Sequence, residues 1–159
     1  SGFCSIIVSQ QLSGSASATI FNRVIKEFNG EINASKIERR SLHRLTRNGV
    51  SKQKAETMVR IADIVRENKN WFLDIEKMPE EEIRENLMKI KGVGNWTVDM
   101  MLISYFGMEN VFSKSDATIN RVCRQLYGEN IDIDGVSDIW KPYRTYASKY
   151  LWKYADNSD

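Results

Sequence analysis

An all-α domain of seven to nine helices is what this 159-residue sequence predicts, and three observations predict it. Apolar residues recur at spacings of three and four along almost the whole chain, the period of a half-buried helix. Alternating apolar–polar runs, the mark of strands, are nearly absent. The breaks between periodic segments hold Gly, Pro, Ser, Asp and Asn, the residues that start and stop helices. With 42% hydrophobic and 28% charged residues, the chain can bury a core and solvate a surface as one domain, 1–159.

The elements follow in order. Ser15 to Phe28 places Ile20, Val24, Ile25 and Phe28 on one face and meets Asn29-Gly30, a C-terminal stop. Ser35 to Arg47 repeats the pattern with Ile37, Leu42 and Leu45, and Asn48-Gly49 ends it. Ser51 reads as the N-cap of a helix from Lys52 to Glu67 that buries Ala55, Met58, Val59, Ala62 and Val65. Pro79 followed by Glu80, Glu81 and Glu82 starts another helix with acids in its first turn, where the dipole favours them; Ile83, Leu87 and Ile90 form its stripe. The pattern breaks at Lys91-Gly92-Val93-Gly94-Asn95 and resumes from Trp96 to Phe106. Ser113-Lys114-Ser115-Asp116 introduces a helix from Ala117 to Tyr127. A polar loop, Gly128 to Gly135, precedes a last stretch, Ser137 to Tyr154, that Pro142 must start or kink.

Composition excludes several classes. No apolar run approaches the roughly 18 residues of a membrane span. Cys4 and Cys123 make neither a disulfide framework nor a four-cysteine iron–sulfur site, which points to a reducing intracellular compartment, cytoplasm or nucleus. His43 is the lone histidine, so zinc chemistry and a Ser-His-Asp triad lack support. A net charge of +2 permits nucleic-acid binding without demanding it. Asn130 to Gly135 imitates the start of a calcium loop, yet its twelfth position is Lys141 where a bidentate Glu is needed.

The sharpest segment runs from Leu87 to Met101. One helix ends, Gly92 and Gly94 make a tight turn, and a new helix begins at once. Glycine allows positive φ and close approach of another backbone. The free N–H groups of the new helix, from Gly94, Asn95, Trp96 and Thr97, suit a phosphate; an ordinary glycine turn between bundled helices has the same look.

This segment resembles the helix-hairpin-helix of the HhH-GPD superfamily of DNA glycosylases, and more narrowly its 3-methyladenine DNA glycosylase II (AlkA-like) branch. Ile6 to Ser13, Gly49 to Glu56, and Trp140 to Trp152 are similar to further family stretches in order and spacing, so the resemblance spans nearly the whole chain. It implies two helical lobes around a DNA-facing cleft and a monomer that acts on duplex DNA containing a damaged base. Many relatives have an extra N-terminal domain; this chain begins almost inside the first core helix, either as a minimal form or with residues upstream.

The family's catalytic carboxylate lies twenty residues after the position of Trp96, which falls on Asp116. Read alone, Asp116 is more readily an ordinary helix cap together with Ser113. The resemblance further implies a base pocket at Trp96, Trp152, Met100 and Ala117, the last two standing where some relatives have tyrosines. It places Gln10, Gln11, Leu12 and Ser13 at a DNA-facing turn, with Gln11 at the wedge position, and makes Lys52 and Lys54 phosphate contacts. Relatives that nick the backbone use a Lys at the position of Trp96, which cannot form an imine. The expected activity is therefore monofunctional hydrolysis of the N-glycosidic bond of alkylated purines such as 3-methyladenine and 7-methylguanine. The alternatives are a glycosylase for other lesions and a non-catalytic DNA-binding hairpin. No redox or organic cofactor is implied; a monovalent cation at the Lys91 and Val93 carbonyls is the one ion the family suggests.

Overall fold

The computed structural model of the chain describes residues 2–158. Every regular element among them is helical: α1 (Gly2–Ser9), α2 (Gly14–Glu27), a 3₁₀ turn (Arg39–Ser41), α3 (Leu42–Arg47), α4 (Lys52–Glu67), α5 (Trp71–Glu76), α6 (Glu80–Met88), α7 (Asn95–Ser104), α8 (Ala117–Tyr127), α9 (Ile133–Ile139) and α10 (Arg144–Asp156). The chain divides into two compact units, Ser1–Thr97 and Val98–Asp159, the division falling inside α7.

In the first unit α1 packs on α2 and α4, α3 packs on α4, and α5 pairs with α6. Its core holds Ile7, Val24, Ile37, Leu45, Met58, Ile83 and Leu87, all fully buried. The caps read from the sequence are in place. Ser13 Oγ accepts from the Ala16 N–H at the start of α2, and Ser51 Oγ from the Lys54 N–H at the start of α4. In the second unit α8 packs against α10. Phe112, Ile119, Val122, Cys123, Leu151 and Ala155 form its core, with Ile133, Trp140 and Trp152 half-buried beside it. From Thr97 to Ile103, α7 is buried at every position, as expected of a helix whose apolar residues run all round it. Both cysteines are free; burial pushes the Cys4 thiol up to about 11 and raises that of Cys123.

Three elements depart from the sequence reading. The helix expected over Ser35–Arg47 is α-helical only from Leu42. Asn33 Oδ1 accepts from the Ser35 and Lys36 N–H groups, and Ser41 and Glu38 exchange side-chain-to-backbone bonds, so local polar partners outcompete the helix before that point. Ile37 is buried from a turn. The stretch expected from Ser137 to Tyr154 is two helices, α9 and α10, parted at Pro142; α9 begins inside the expected polar loop. There Asp132 Oδ1 accepts from the Asp134 N–H as the α9 cap, which accounts for the calcium-like run. The short α5, unmarked by the sequence, raises the number of α-helices among the described residues to ten.

Candidate active site

In the second unit, the turn Ser113–Asp116 closes with the Asp116 N–H on the Ser113 carbonyl at 3.1 Å and delivers an extended residue (φ −77, ψ 117) to the head of α8. That residue is Asp116. Its Oδ1 accepts from the Ile119 N–H at 2.9 Å and from the indole Nε1–H of Trp152 at 3.2 Å, and the side chain is buried. Asn120 pins the same turn by donating to the Lys114 carbonyl at 2.8 Å. The sequence left helix capping and catalysis as competing readings of Asp116. The geometry makes it the cap, and the indole bond adds an orienting contact from α10 that capping alone does not require. Trp152 is half-buried, Met100 buried on α7, and Ala117 exposed at the first position of α8.

The N-terminal end of α10 is fastened to the loop before this turn. Thr145 Oγ1 donates to the Met108 carbonyl at 2.6 Å and accepts from the Val111 N–H at 3.0 Å. Arg144 donates to the Asn110 side chain and carbonyl, at 2.9 and 3.0 Å.

In the first unit, the turn between α6 and α7 is seated on α4. Gly92 has φ +97, and a Cβ there would lie 2.0 Å from Thr57 Oγ1. The Thr57 hydroxyl sits 3.2 Å from the Lys91 carbonyl and 3.0 Å from the Gln53 carbonyl. Both turn glycines were expected to supply positive φ and close approach; only Gly92 does. Gly94 has ordinary φ and open space around the Cβ position, so its bareness keeps the exposed head of α7 unobstructed.

The turn after α1, expected to face DNA, is tied to this hairpin. Gln10 Nε2 donates to the Gly92 carbonyl at 3.2 Å and to Thr97 Oγ1 at 2.7 Å. Lys54, expected on phosphate, places its ammonium on the carbonyls of Val8 and Gln10, at 2.8 and 2.6 Å; partial burial lowers its pKa. Its observed partners are thus the orphan carbonyls at the end of α1. Lys52, Gln11, Leu12 and Ser13 are exposed, and Gln11 has φ +54. Thr57 went unmarked in the sequence because it lies off the apolar stripe of α4.

The Lys91 carbonyl, half of the cation site implied by the resemblance, has the Thr57 hydroxyl at 3.2 Å and the Arg60 guanidinium at 3.4 Å. That guanidinium is itself paired with Glu56 at 3.3 Å. Among the described residues no group of three or more His, Cys, Asp or Glu is placed to hold a metal ion. No helix among them is long and apolar enough to cross a membrane.

The profile of the HhH-GPD superfamily base excision DNA repair proteins matches residues 4–139, which include most of α1, the hairpin and Asp116. This chain belongs to that family. Among curated HhH-GPD relatives, the alkylbase DNA glycosidase-like protein mag2 of Schizosaccharomyces pombe is 32% identical over 162 residues, covering 96% of this chain and 76% of its own. DNA-3-methyladenine glycosylase 1 of the same yeast is 30% identical, covering 96% and 71%. The solved structure of the S. pombe 3-methyladenine DNA glycosylase Mag1 in complex with abasic DNA superposes with a TM-score of 0.87 at 29% identity, over 98% of this chain and 79% of that one. A DNA-3-methyladenine glycosidase from Bacillus halodurans gives 0.76 at 32% identity, covering 96% and 73%.

Proposed function

We propose that this HhH-GPD protein is a monofunctional DNA glycosylase that hydrolyses the N-glycosidic bond of alkylated purines, of the 3-methyladenine and 7-methylguanine type, in duplex DNA. The observation that carries the reading is the buried, doubly hydrogen-bonded carboxylate of Asp116, aimed by the head of α8 and the Trp152 indole. The names of the relatives, glycosylases and glycosidases for alkylated bases, support the same substrate class.

The chemistry needs one carboxylate. The target base is rotated out of the stack, since its glycosidic bond is inaccessible inside the duplex. The C1′–N bond breaks with its electron pair leaving on the base; an alkylated purine is cationic and departs neutral. Asp116 offsets the positive charge that grows on the sugar and accepts a proton from water as the water oxygen bonds to C1′. Trp96, at the position where a lyase would hold its amine, gives no imine, so the backbone stays intact and an abasic site is the product. Trp96 and Trp152 offer aromatic surface to a cationic base, Met100 and Ala117 a less aromatic one. Gln11 to Ser13, Lys52 and the main-chain N–H groups of Gly92 to Thr97 form the duplex-contacting surface, engaged by a monomer.

Base release from methylated duplex DNA under single-turnover conditions tests this. Wild-type protein is expected to free 3-methyladenine or 7-methylguanine, and Asp116→Asn to bind the duplex while releasing base about 10²–10⁴-fold more slowly. Binding without release by the wild type would overturn the assignment.

A further inference from the structure

We propose that Gln10 is a positioning residue that locks the turn Gln11–Ser13 to the hairpin Gly92–Thr97, so that seating the hairpin on a DNA phosphate and driving the turn into the base stack occur as one event. The inference rests on the duplex-DNA reading above and adds to it a residue with no expected contact to the reacting atoms.

Gln10 is held from three sides. Its two amide hydrogens go to the Gly92 carbonyl and to Thr97 Oγ1, at 3.2 and 2.7 Å, across 82 and 87 residues of sequence. A carbonyl can only accept, so Gly92 fixes which end of the amide faces the hairpin. The carbonyl of Gln10 takes the Lys54 ammonium at 2.6 Å. Both functional ends of one residue are therefore anchored to separate elements of the same unit: the side chain to the hairpin, the main chain to α4. The hairpin is anchored to α4 as well, through Thr57 and Gly92.

The residue that follows shows why such anchoring is needed. Gln11 adopts φ +54, a left-handed conformation uncommon for a side chain that is not Gly, Asn or Asp, while exposed and without packing of its own to impose it. Such a conformation persists where its surroundings over-determine it. Gln10 holds one side; on the other, the Leu12 N–H bonds to the Ser9 carbonyl and Ser13 caps α2. The outcome is a turn that thrusts Gln11 and the 40% exposed Leu12 into solvent. Cutting the Gln10 amide from the hairpin frees that turn without touching the hairpin's own N–H groups.

The test uses duplex DNA carrying a tetrahydrofuran abasic analogue beside 2-aminopurine, whose fluorescence rises when the stack is opened. Gln10→Met keeps the length of the side chain and removes both donors. Expected results are duplex affinity within about threefold of wild type, because the phosphate contacts remain, and a fluorescence response, with the single-turnover rate of base release from methylated duplex, down about tenfold or more for the two lost hydrogen bonds. Thr97→Val, which removes only the shorter of the two bonds, should give a loss of the same kind and no larger, Thr97→Ser should recover most of it, and the Gln10→Met/Thr97→Val pair should lose no more than Gln10→Met alone. A full fluorescence response in Gln10→Met, or additive losses in the pair, would overturn the coupling while leaving the glycosylase reading intact. A wild-type protein that neither opens this duplex nor releases base overturns that reading and the coupling with it.

Discussion

Replacing Gly92 by Ala should be strongly destabilising, and the damage should be partly repaired by a second change that is harmful alone. Two costs combine. A side chain at φ +97 forces a left-handed backbone, about 1–2 kcal/mol. The new methyl also lands 2.0 Å from Thr57 Oγ1, 3.1 Å from its Cβ and 3.3 Å from its Cγ2, so no rotation of this buried β-branched side chain clears it. Overpacking of that kind costs about 1–3 kcal/mol. Displacing the hydroxyl from the Lys91 and Gln53 carbonyls adds about 1 kcal/mol. Gly92→Ala should thus lose about 3–6 kcal/mol, or on the order of 6–24 °C in Tm for a domain of this size. Thr57→Ala alone should lose about 1–2 kcal/mol by vacating the hydroxyl's bonds. The double variant removes the overlap and keeps only the backbone strain and the missing bonds, about 2–4 kcal/mol, so it should be more stable than Gly92→Ala. Thermal and urea melts of the four proteins measure this. If Thr57→Ala destabilises the Gly92→Ala variant as much as it does the wild type, the close approach is not what excludes a side chain. Gly94→Ala is the control: with open space and ordinary φ it should cost under about 1 kcal/mol but weaken duplex binding by obstructing the head of α7.

Two further predictions concern polar groups outside the hairpin. Ser113 Oγ is fully buried with no hydrogen-bond partner among the described residues, so Ser113→Ala should leave stability unchanged or raise it by up to roughly 1–3 kcal/mol of relieved desolvation; a clear drop in Tm would show that the hydroxyl has a partner. Glu27 is held below the usual carboxylate range, first by its bond from Arg44 at 2.9 Å and also by Arg47 at 2.6 Å and Asn48 at 3.4 Å. A carboxylate with a depressed folded-state pKa stabilises above its unfolded pKa and stops doing so as pH falls through the folded value. Wild type should therefore out-melt Glu27→Gln at neutral pH and lose that advantage on acidification below about 4; a gap that persists in acid would refute the ion-pair account.

What could be read from the sequence was whatever a single element announces locally. The bounds of α4 and α8 match the reading because Ser51 and Asp116 are capping residues directly before apolar stripes. The segment before α3 was misread because Ile37 and Leu45 share a core while Asn33, Glu38 and Ser41 bend the chain between them, and an apolar period cannot distinguish a turn that buries one residue from a helix that buries several. At the site, Asp116 and the hairpin were legible by spacing and resemblance. The pairings Gln10–Thr97 and Thr57–Lys91 were not: they join groups 87 and 34 positions apart, and neither Thr97 nor Thr57 breaks the pattern of its own helix.

The double duty of Asp116 decides how its role should be probed. Asp116→Ala deletes the acceptor for the Ile119 N–H, a cap loss of about 1 kcal/mol, and strips the Trp152 indole of its partner. A dead Ala variant would be equally consistent with a frayed α8, a displaced Trp152 or a missing carboxylate. Asp116→Asn keeps an oxygen in place, and Asn caps a helix as well as Asp does, so both hydrogen bonds can survive while the charge and the proton-accepting capacity are lost. Only a variant that melts like the wild type and fails at the chemical step separates the carboxylate's chemistry from its work at the head of the helix.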